Sequence, residues 1–331
     1  MADLKTKYMG LELRSPIIAG SCGLTSDVEK MVEMEKAGVG AVVLKSIFEE
    51  QINEETSGVF KAGYGMGDAY PEAEDYIKAY IRSNTIQKYV ELVRNAKSRL
   101  TIPVIASVNC FSGGEWVSFA RQLEEAGADA LELNVFILPV NEFKESAEVE
   151  NVYFEIVKSI KSQIKIPVSV KISHYFTNLS AFVDKIKAYG ANATTLFNRF
   201  YEPDININTL EMGAASVFST AAELRTTLRW TGILAGKDKR LEISASTGVH
   251  GGEATVKLLL AGATTVQVCS VLYEKGIHVI EDINTFIKTW MESKAFESID
   301  DFRGMLSYSS IDNPDLYERA QFMKYFSNKQ Y

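Results

Sequence analysis

Four places in this chain carry nearly the same signature. Ala37-Gly-Val-Gly-Ala41, Ala126-Gly-Ala-Asp-Ala130, Tyr189-Gly-Ala-Asn-Ala193 and Ala261-Gly-Ala-Thr-Thr265 each end an amphipathic stretch on glycine and open a short apolar run. Glycine stops helices there because it takes left-handed angles without a Cβ clash. A second set of strand starts alternates with the first: Ser15-Pro-Ile, Ile102-Pro-Val, Ile166-Pro-Val and Leu241-Glu-Ile. The phase recurs every roughly 60–90 residues, a spacing that marks an internal repeat. About four double units give about eight strands. Apolar strands alternating with amphipathic helices imply a parallel sheet covered on both faces. Eight of them favour a closed (β/α)8 TIM barrel of the α/β class, and the open doubly wound sheet is the alternative.

The repeat predicts strands over 15–20, 41–44, 102–106, 130–133, 166–170, 193–197, 241–243 and 264–268. It predicts helices over 26–37, 73–100, 115–125, 147–162, 179–189, 220–234, 254–261 and 277–297. Two long irregular sections interrupt it, 49–72 and 200–218, and loops of that length are usually functional. The tyrosines and Met66 of the first could form a lid over a substrate. At 331 residues, the chain fits one barrel domain, 1–331, with 298–331 as a C-terminal helical cap that includes a helix over 314–326.

The stretch Ser244 to Glu253, with Cys269-Ser270 beyond it, reads as strand, Gly-rich turn, helix, strand and small polar turn. That is how a fold builds a phosphate cradle. Gly248, Gly251 and Gly252 let an anion approach the main chain, and free N–H groups at a helix start favour negative charge. Thr247 and Ser270 add hydroxyl donors.

In a barrel, chemistry gathers at the C-terminal ends of the strands. The strand reading places Ser21, Lys45, Asn109, Asn134, Lys171, Asn198 and Thr247 there. Two lysines and three asparagines suit a large planar, polar, anionic ligand. His174, just beyond Lys171, is a candidate acid/base, and Cys22 and Cys110 lie near strand ends. The three cysteines, Cys22, Cys110 and Cys269, are far apart in sequence with no CxxC, so neither a disulfide framework nor a metal site is expected. A net charge of −8 argues against nucleic acid or an anionic membrane as partner. Without an apolar leader or a run of about 18 apolar residues, a soluble cytoplasmic protein is expected.

These residues resemble a known family. Ser15-Pro-Ile-Ile-Ala-Gly-Ser21, Val43-Leu-Lys-Ser46, Ala128-Asp-Ala-Leu-Glu-Leu-Asn134, Pro167-Val-Ser-Val-Lys-Ile172, Phe197-Asn198 and Ser246-Thr-Gly-Val-His-Gly-Gly252 look like the class 1 dihydroorotate dehydrogenases. They are also similar to the flavin domain of dihydropyrimidine dehydrogenases. The resemblance implies a (β/α)8 barrel with non-covalent FMN, an oxidoreductase acting on CH–CH groups in pyrimidine biosynthesis, and a homodimer. It implies that Gly20 and Ser21 pack on the flavin and that Lys45 contacts flavin and substrate. Asn134 would touch the ring or the substrate, with Asn109 in the same cofactor set. Lys171 would sit at the flavin N1–C2 edge, Asn198 would bind substrate, and Thr247, Gly248 and Ser270 would hold the phosphate.

The departures are as informative. Where the family carries Asn-Leu-Ser-Cys-Pro-Asn, this chain reads Asn134-Val-Phe-Ile-Leu-Pro-Val-Asn141. Ile137 stands in the place of the catalytic cysteine, and an isoleucine cannot take a proton. Gly63-Tyr-Gly-Met-Gly67 keeps the Met-Gly of the family's substrate loop without its asparagine. Arg199 replaces a small polar residue. Three readings therefore stay open: oxidation of dihydroorotate; reduction of another unsaturated, carboxylate-bearing heterocycle that Arg199 would meet; or a non-catalytic barrel that binds FMN or another phosphate ligand.

Overall fold

The structure is a computed structural model that describes residues 2–48, 71–109, 116–199 and 202–318. Its centre is a closed parallel barrel of eight strands. In chain order, the hairpin β1 (Thr6–Tyr8) and β2 (Leu11–Leu13) precedes β3 (Ile17–Ala19) and β4 (Ala41–Val43). Next come β5 (Ile47–Phe48), β6 (Val104–Asn109), β7 (Ala130–Asn134), β8 (Val168–Ile172) and β9 (Ala193–Leu196). A second hairpin, β10 (Pro203–Asn206) and β11 (Glu211–Ala214), precedes β12 (Glu242–Ala245) and β13 (Thr265–Val268). The barrel order is β4-β3-β13-β12-β9-β8-β7-β6, closed by pairing of β4 with β6. The short β5 lies against the far end of β6.

Each expected barrel strand is present. The helices between them put their apolar faces on the outside of the barrel, as for Val28–Lys36, which buries Met31 and Met34. The left-handed glycines Gly38, Gly127, Gly190 and Gly262 end helices at the four repeat positions, with φ between +95° and +115°. This outer core is the larger of two apolar clusters. The smaller fills the barrel's lower interior with Ile18, Ala41, Val43, Ile105, Ala130 and Ala193, and is closed from below by Tyr8, Met9 and Leu13.

That plug is the first difference from the sequence expectation, which began the fold at residue 15. Residues 6–13 form an antiparallel hairpin with Tyr8 opposite Leu11. Its two-residue turn puts Met9 at φ 53° and Gly10 at φ 81°. Both central residues of such a turn need positive φ, which matches the strand twist. The second difference is the β10–β11 hairpin, which lies inside the section read as a loop over 200–218. Its residues are mostly exposed, so no buried alternation marked it.

The C-terminal cap is less helical than expected. Over 298–318 only Ile299–Asp301 and Asp315–Glu318 are helical. The segment is held on the helices Leu224–Lys237 and Gly252–Ala261 by main-chain bonds from Gly304 to Leu259, Leu306 to Leu260 and Tyr308 to Gly232. The rest of the helix read over 314–326 lies outside the described residues, as do the Gly63–Gly67 section, Met66 and Cys110. Among the described residues, no helix is long and apolar enough to cross a membrane.

Candidate functional site

Four neighbouring strands bring their ends into register. Asn109 pairs with Asn134, Asn134 with Lys171, and Lys171 with Thr195. All four are buried. Side chains alternate along a strand, so a residue two before Asn134 points the same way. That residue is Glu132, which sequence reasoning missed. It is 1% exposed and sits one layer below the mouth.

Glu132 is the hub of the barrel's polar interior. Its Oε2 accepts hydrogen bonds from Thr195 Oγ1 at 2.9 Å and Gln267 Nε2 at 2.7 Å. Its Oε1 lies 3.7 Å from Lys171 Nζ, and Lys171 Nζ is 3.5 Å from Gln267 Oε1. A buried ammonium is tolerated only when paired in this way. Below, Tyr8 OH donates to Ser169 Oγ at 3.1 Å, and Ser169 Oγ lies 3.0 Å from Thr195 Oγ1. Burial raises the Tyr8 phenol, so it keeps its proton and donates. Hydroxyls thus run from the floor of the barrel to the carboxylate beneath its mouth.

At the mouth the balance changes. The Oδ1 atoms of Asn109 and Asn134 are buried and have no hydrogen-bond partner among the described residues. Ser21 Oγ accepts from Ser46 N at 2.8 Å, and Ser46 Oγ continues to Ser107 Oγ at 2.7 Å. Beside them opens a cavity of about 190 Å³ lined by Gly20, Ser21, Lys171, Asn198, Thr247 and Ser270, among others. Gly248 lines it too. The structure therefore brings seven of the expected site residues to one cavity. Lys45 is exposed beyond the end of β4 and is not among the lining residues.

The expected phosphate end has a partner that no motif announced. Ser219 donates from its N–H to Ser270 Oγ at 3.0 Å, and its hydroxyl lies 3.1 Å from Ser270 Oγ and 3.3 Å from His250 Nε2. His250 Nδ1 is 3.0 Å from Glu274 Oε2. Gly248 takes φ +78°, and a Cβ there would meet Leu224 N at 2.2 Å. Only glycine fits. Thr247 also takes positive φ, unusual for a β-branched residue, and donates its hydroxyl to Phe197 O at 3.1 Å. Its side-chain donor is therefore already committed, as is that of Ser219, which donates to Ser270 Oγ; Ser270 accepts both Ser219 bonds and its own O–H is turned to neither.

A second cavity of about 120 Å³ adjoins the first and shares Phe197, Asn198, Arg199 and Thr247 with it. His174 lines it, with its ring 4.3 Å from that of Tyr175 and 5.8 Å from that of Phe197. The His174 residue is exposed overall, and partial desolvation of its imidazole lowers it below its ordinary value. Arg199 is fully engaged. It meets Glu223 at 3.0 Å, Glu202 at 3.3 Å and the carbonyls of Ser216 and Val217 at 2.9 and 3.1 Å. Ile137 packs on the core. Burial pushes the nearby Tyr153 phenol up to about 12, and its hydrogen bond goes to the Ile137 main chain.

A larger cavity, about 660 Å³, lies elsewhere, at the floor between Lys7, Arg240, Glu242 and Arg303. Three of its four cations already face carboxylates: Lys7 meets Glu12 at 3.6 Å, Arg240 meets Asp238 at 3.7 Å and Arg303 meets Asp300 at 2.7 Å. Size alone does not make it the site.

A family model described as dihydroorotate dehydrogenase matches residues 3–291. The catalytic subunit of dihydroorotate dehydrogenase B (NAD(+)) from Thermoplasma acidophilum is 30% identical over 311 residues, spanning 92% of this chain and 99% of the relative. The protein of the same name from Thermoplasma volcanium is 27% identical over 326 residues, with 92% and 99% covered. That from Pyrococcus furiosus is 26% identical over 322 residues, with 92% and 98% covered.

Proposed function

Since this chain belongs to the dihydroorotate dehydrogenase family, we propose that it oxidises dihydroorotate to orotate at its CH–CH bond with non-covalently bound FMN. The observation that carries the reading is the buried Lys171 ammonium, held on Glu132 and Gln267, beside two buried asparagine oxygens without partners among the described residues.

The residues fit that cofactor. A flavin edge carries one ring N–H and several carbonyl and nitrogen acceptors. If FMN is bound, Asn109 and Asn134 would offer oxygens to the former, and Lys171 would offer a cation to the acceptors. Buried polar atoms left without partners cost about 1–3 kcal/mol each, so a ligand that satisfies them gains that amount. Ser270 and the Gly248 main chain would hold the phosphate. When bound, FMN supplies the two-electron acceptor for a hydride leaving the substrate.

The chain's own residues supply the rest. Lys171 places positive charge where negative charge develops, and its pairing below fixes that charge in position before reaction. Lys45, Asn134 and Asn198 are assigned to orienting the substrate. The proton must go to a group other than residue 137. We assign it to His174, which lines the adjoining cavity and whose imidazole is lowered by partial desolvation, favouring the form with a free lone pair. Arg199 already has four partners, which removes the main support for a reading in which it receives a substrate carboxylate.

The same reading takes the protein to be a cytoplasmic homodimer. Ile205, Ile207, Leu210 and Met212, exposed around the β10–β11 hairpin, would supply apolar surface for such a contact. The deciding experiment is an anaerobic visible spectrum before and after dihydroorotate. A yellow protein that bleaches supports the assignment. A yellow protein that stays yellow removes the substrate, and a colourless protein that takes up no FMN removes the cofactor.

A further inference from the structure

The sequence separates Cys22 from Cys269, and the fold brings them together. Strands β3 and β13 are parallel neighbours with Ala19 opposite Val268, and Gly20 N–H donates to Val268 O at 2.9 Å. Cys269 follows Val268 directly. Cys22 lies where the chain turns from β3 into the short helix Gly23–Ser26. Continued one step, that register sets Cys269 opposite Gly20, and Cys22 lies two residues further along the turn. The two thiols are in hydrogen-bond contact. Both cysteines are free and only half-buried.

We propose that Cys22 and Cys269 form a thiol–disulfide exchange site beside the cofactor cavity, a dithiol that closes to an intramolecular disulfide on reaction with a small-molecule disulfide.

The surroundings divide the labour between the two sulfurs. The contact with Cys269 lowers the Cys22 thiol to about 6, assisted by the N–H groups of Thr25 and Leu24 and by the Tyr273 phenol. The Cys269 thiol is pushed up by the same contact and by burial. One sulfur is therefore a thiolate at neutral pH, and the other holds a proton. That is the division between an attacking and a resolving cysteine. Tyr273 is fixed against the turn, since its hydroxyl accepts from Leu24 N at 3.2 Å and its ring stacks on Phe218 at 5.3 Å. A Cβ at residue 23 would meet that hydroxyl at 2.7 Å, so glycine there keeps Tyr273 close to the sulfurs.

The chemistry balances. The Cys22 thiolate attacks one sulfur of the small disulfide, forms a mixed disulfide and releases one thiolate. Cys269 gives its proton to that leaving group and attacks the Cys22 sulfur, which releases the second thiolate. Two cysteines lose two electrons, and the small disulfide becomes two thiols. Cys269 lines the same cavity as Gly20, Ser21 and Ser270, so the bond would tie together two strand-end turns at its rim.

The test uses the purified protein with whatever cofactor it carries. It is incubated with oxidised glutathione, blocked with iodoacetamide and mapped by non-reducing peptide mass spectrometry. The expected result is a Cys22–Cys269 linked peptide that disappears on adding dithiothreitol. Cys269→Ser should instead trap glutathione on Cys22 as an unresolved mixed disulfide, and Cys22→Ser should give no linked peptide. Separate glutathione adducts without a link in the native protein, a link to Cys110, or no reaction at either position would each overturn the proposal. The map reads sulfur connectivity alone, so it is independent of the proposed substrate and cofactor.

Discussion

The two ends of the barrel are built from the same eight strands and treat polar atoms in opposite ways. At the floor, Tyr8 OH meets Ser169 and the Met9 N–H meets Glu242, while Ile18, Val43 and Ile105 fill the space between them. At the mouth, Asn109 and Asn134 keep buried oxygens with no partner among the described residues, and Lys171 stands over a carboxylate at ion-pair distance. A closed floor stabilises the fold on its own terms. An open polar mouth costs stability until something else supplies the missing partners. The candidate site lies where incomplete bonding coincides with a buried cation and a cavity; the buried hydroxyls of Ser244 and Thr265, also without partners among the described residues, line neither the mouth cavity nor the larger floor cavity.

Substitutions can break this contrast. The largest effect is expected from Lys171→Met, which leaves Glu132 buried without its cation and should cost about 3–5 kcal/mol in denaturant unfolding. Adding Glu132→Gln should recover most of that stability while flavin reduction stays impaired; recovery of both would show that the pair is only structural. At the floor, Ile105→Val should cost about 1 kcal/mol through the cavity it leaves, with cofactor affinity unchanged. Tyr8→Phe should cost a similar ~1 kcal/mol by removing one buried hydrogen bond. Asn134→Ala should behave in the opposite sense. The FMN-free protein should be as stable as before or slightly more stable, because an orphaned oxygen is gone, while FMN binds about tenfold more weakly, equivalent to ~1.4 kcal/mol. If FMN-free Asn134→Ala is clearly destabilised, the mouth is bonded internally and the contrast fails.

The smallest expected effect is a pH dependence. The base must be unprotonated, and partial desolvation lowers the His174 pKa, so flavin reduction should be flat through neutral pH. It should fall only as pH drops below the ordinary imidazole range. His174→Gln should remove that acidic fall together with most of the rate. A retained fall would place the base elsewhere.

Much of this was legible in the sequence, for definite reasons. The repeated glycine helix ends located four of the eight barrel strands, because glycine alone is comfortable at φ near +100°, and the starts at Ser15, Ile102, Ile166 and Leu241 located the alternate four. The asparagines and Lys171 were found by counting to strand ends. Glu132 was lost because Leu131 and Leu133 make its strand read as uniformly apolar, although alternation back from Asn134 points it inward. Ser219 carries no motif and reaches Ser270 only through the fold. The first hairpin was missed because Met9-Gly10 is not the Asn-Gly or Asp-Gly that usually announces such a turn. Lys45, placed at a strand end by the same count, lies two residues past the end of β4 and is exposed. The meeting of Cys22 and Cys269 depends on β13 returning beside β3, which spacing along the chain does not reveal.

The hydroxyl series Tyr8, Ser169, Thr195 has a further effect. With Tyr8 as its first donor, each O–H points upward and the last ends on Glu132. Three aligned bond dipoles direct their positive ends at that carboxylate, and such chains polarise one another in a low-dielectric interior. Part of Glu132's negative charge is therefore answered from below, so less of the Lys171 charge is cancelled and more of its potential reaches the cavity. An uncharged phenol at the opposite end of the barrel thus helps to set the field in which the reaction occurs.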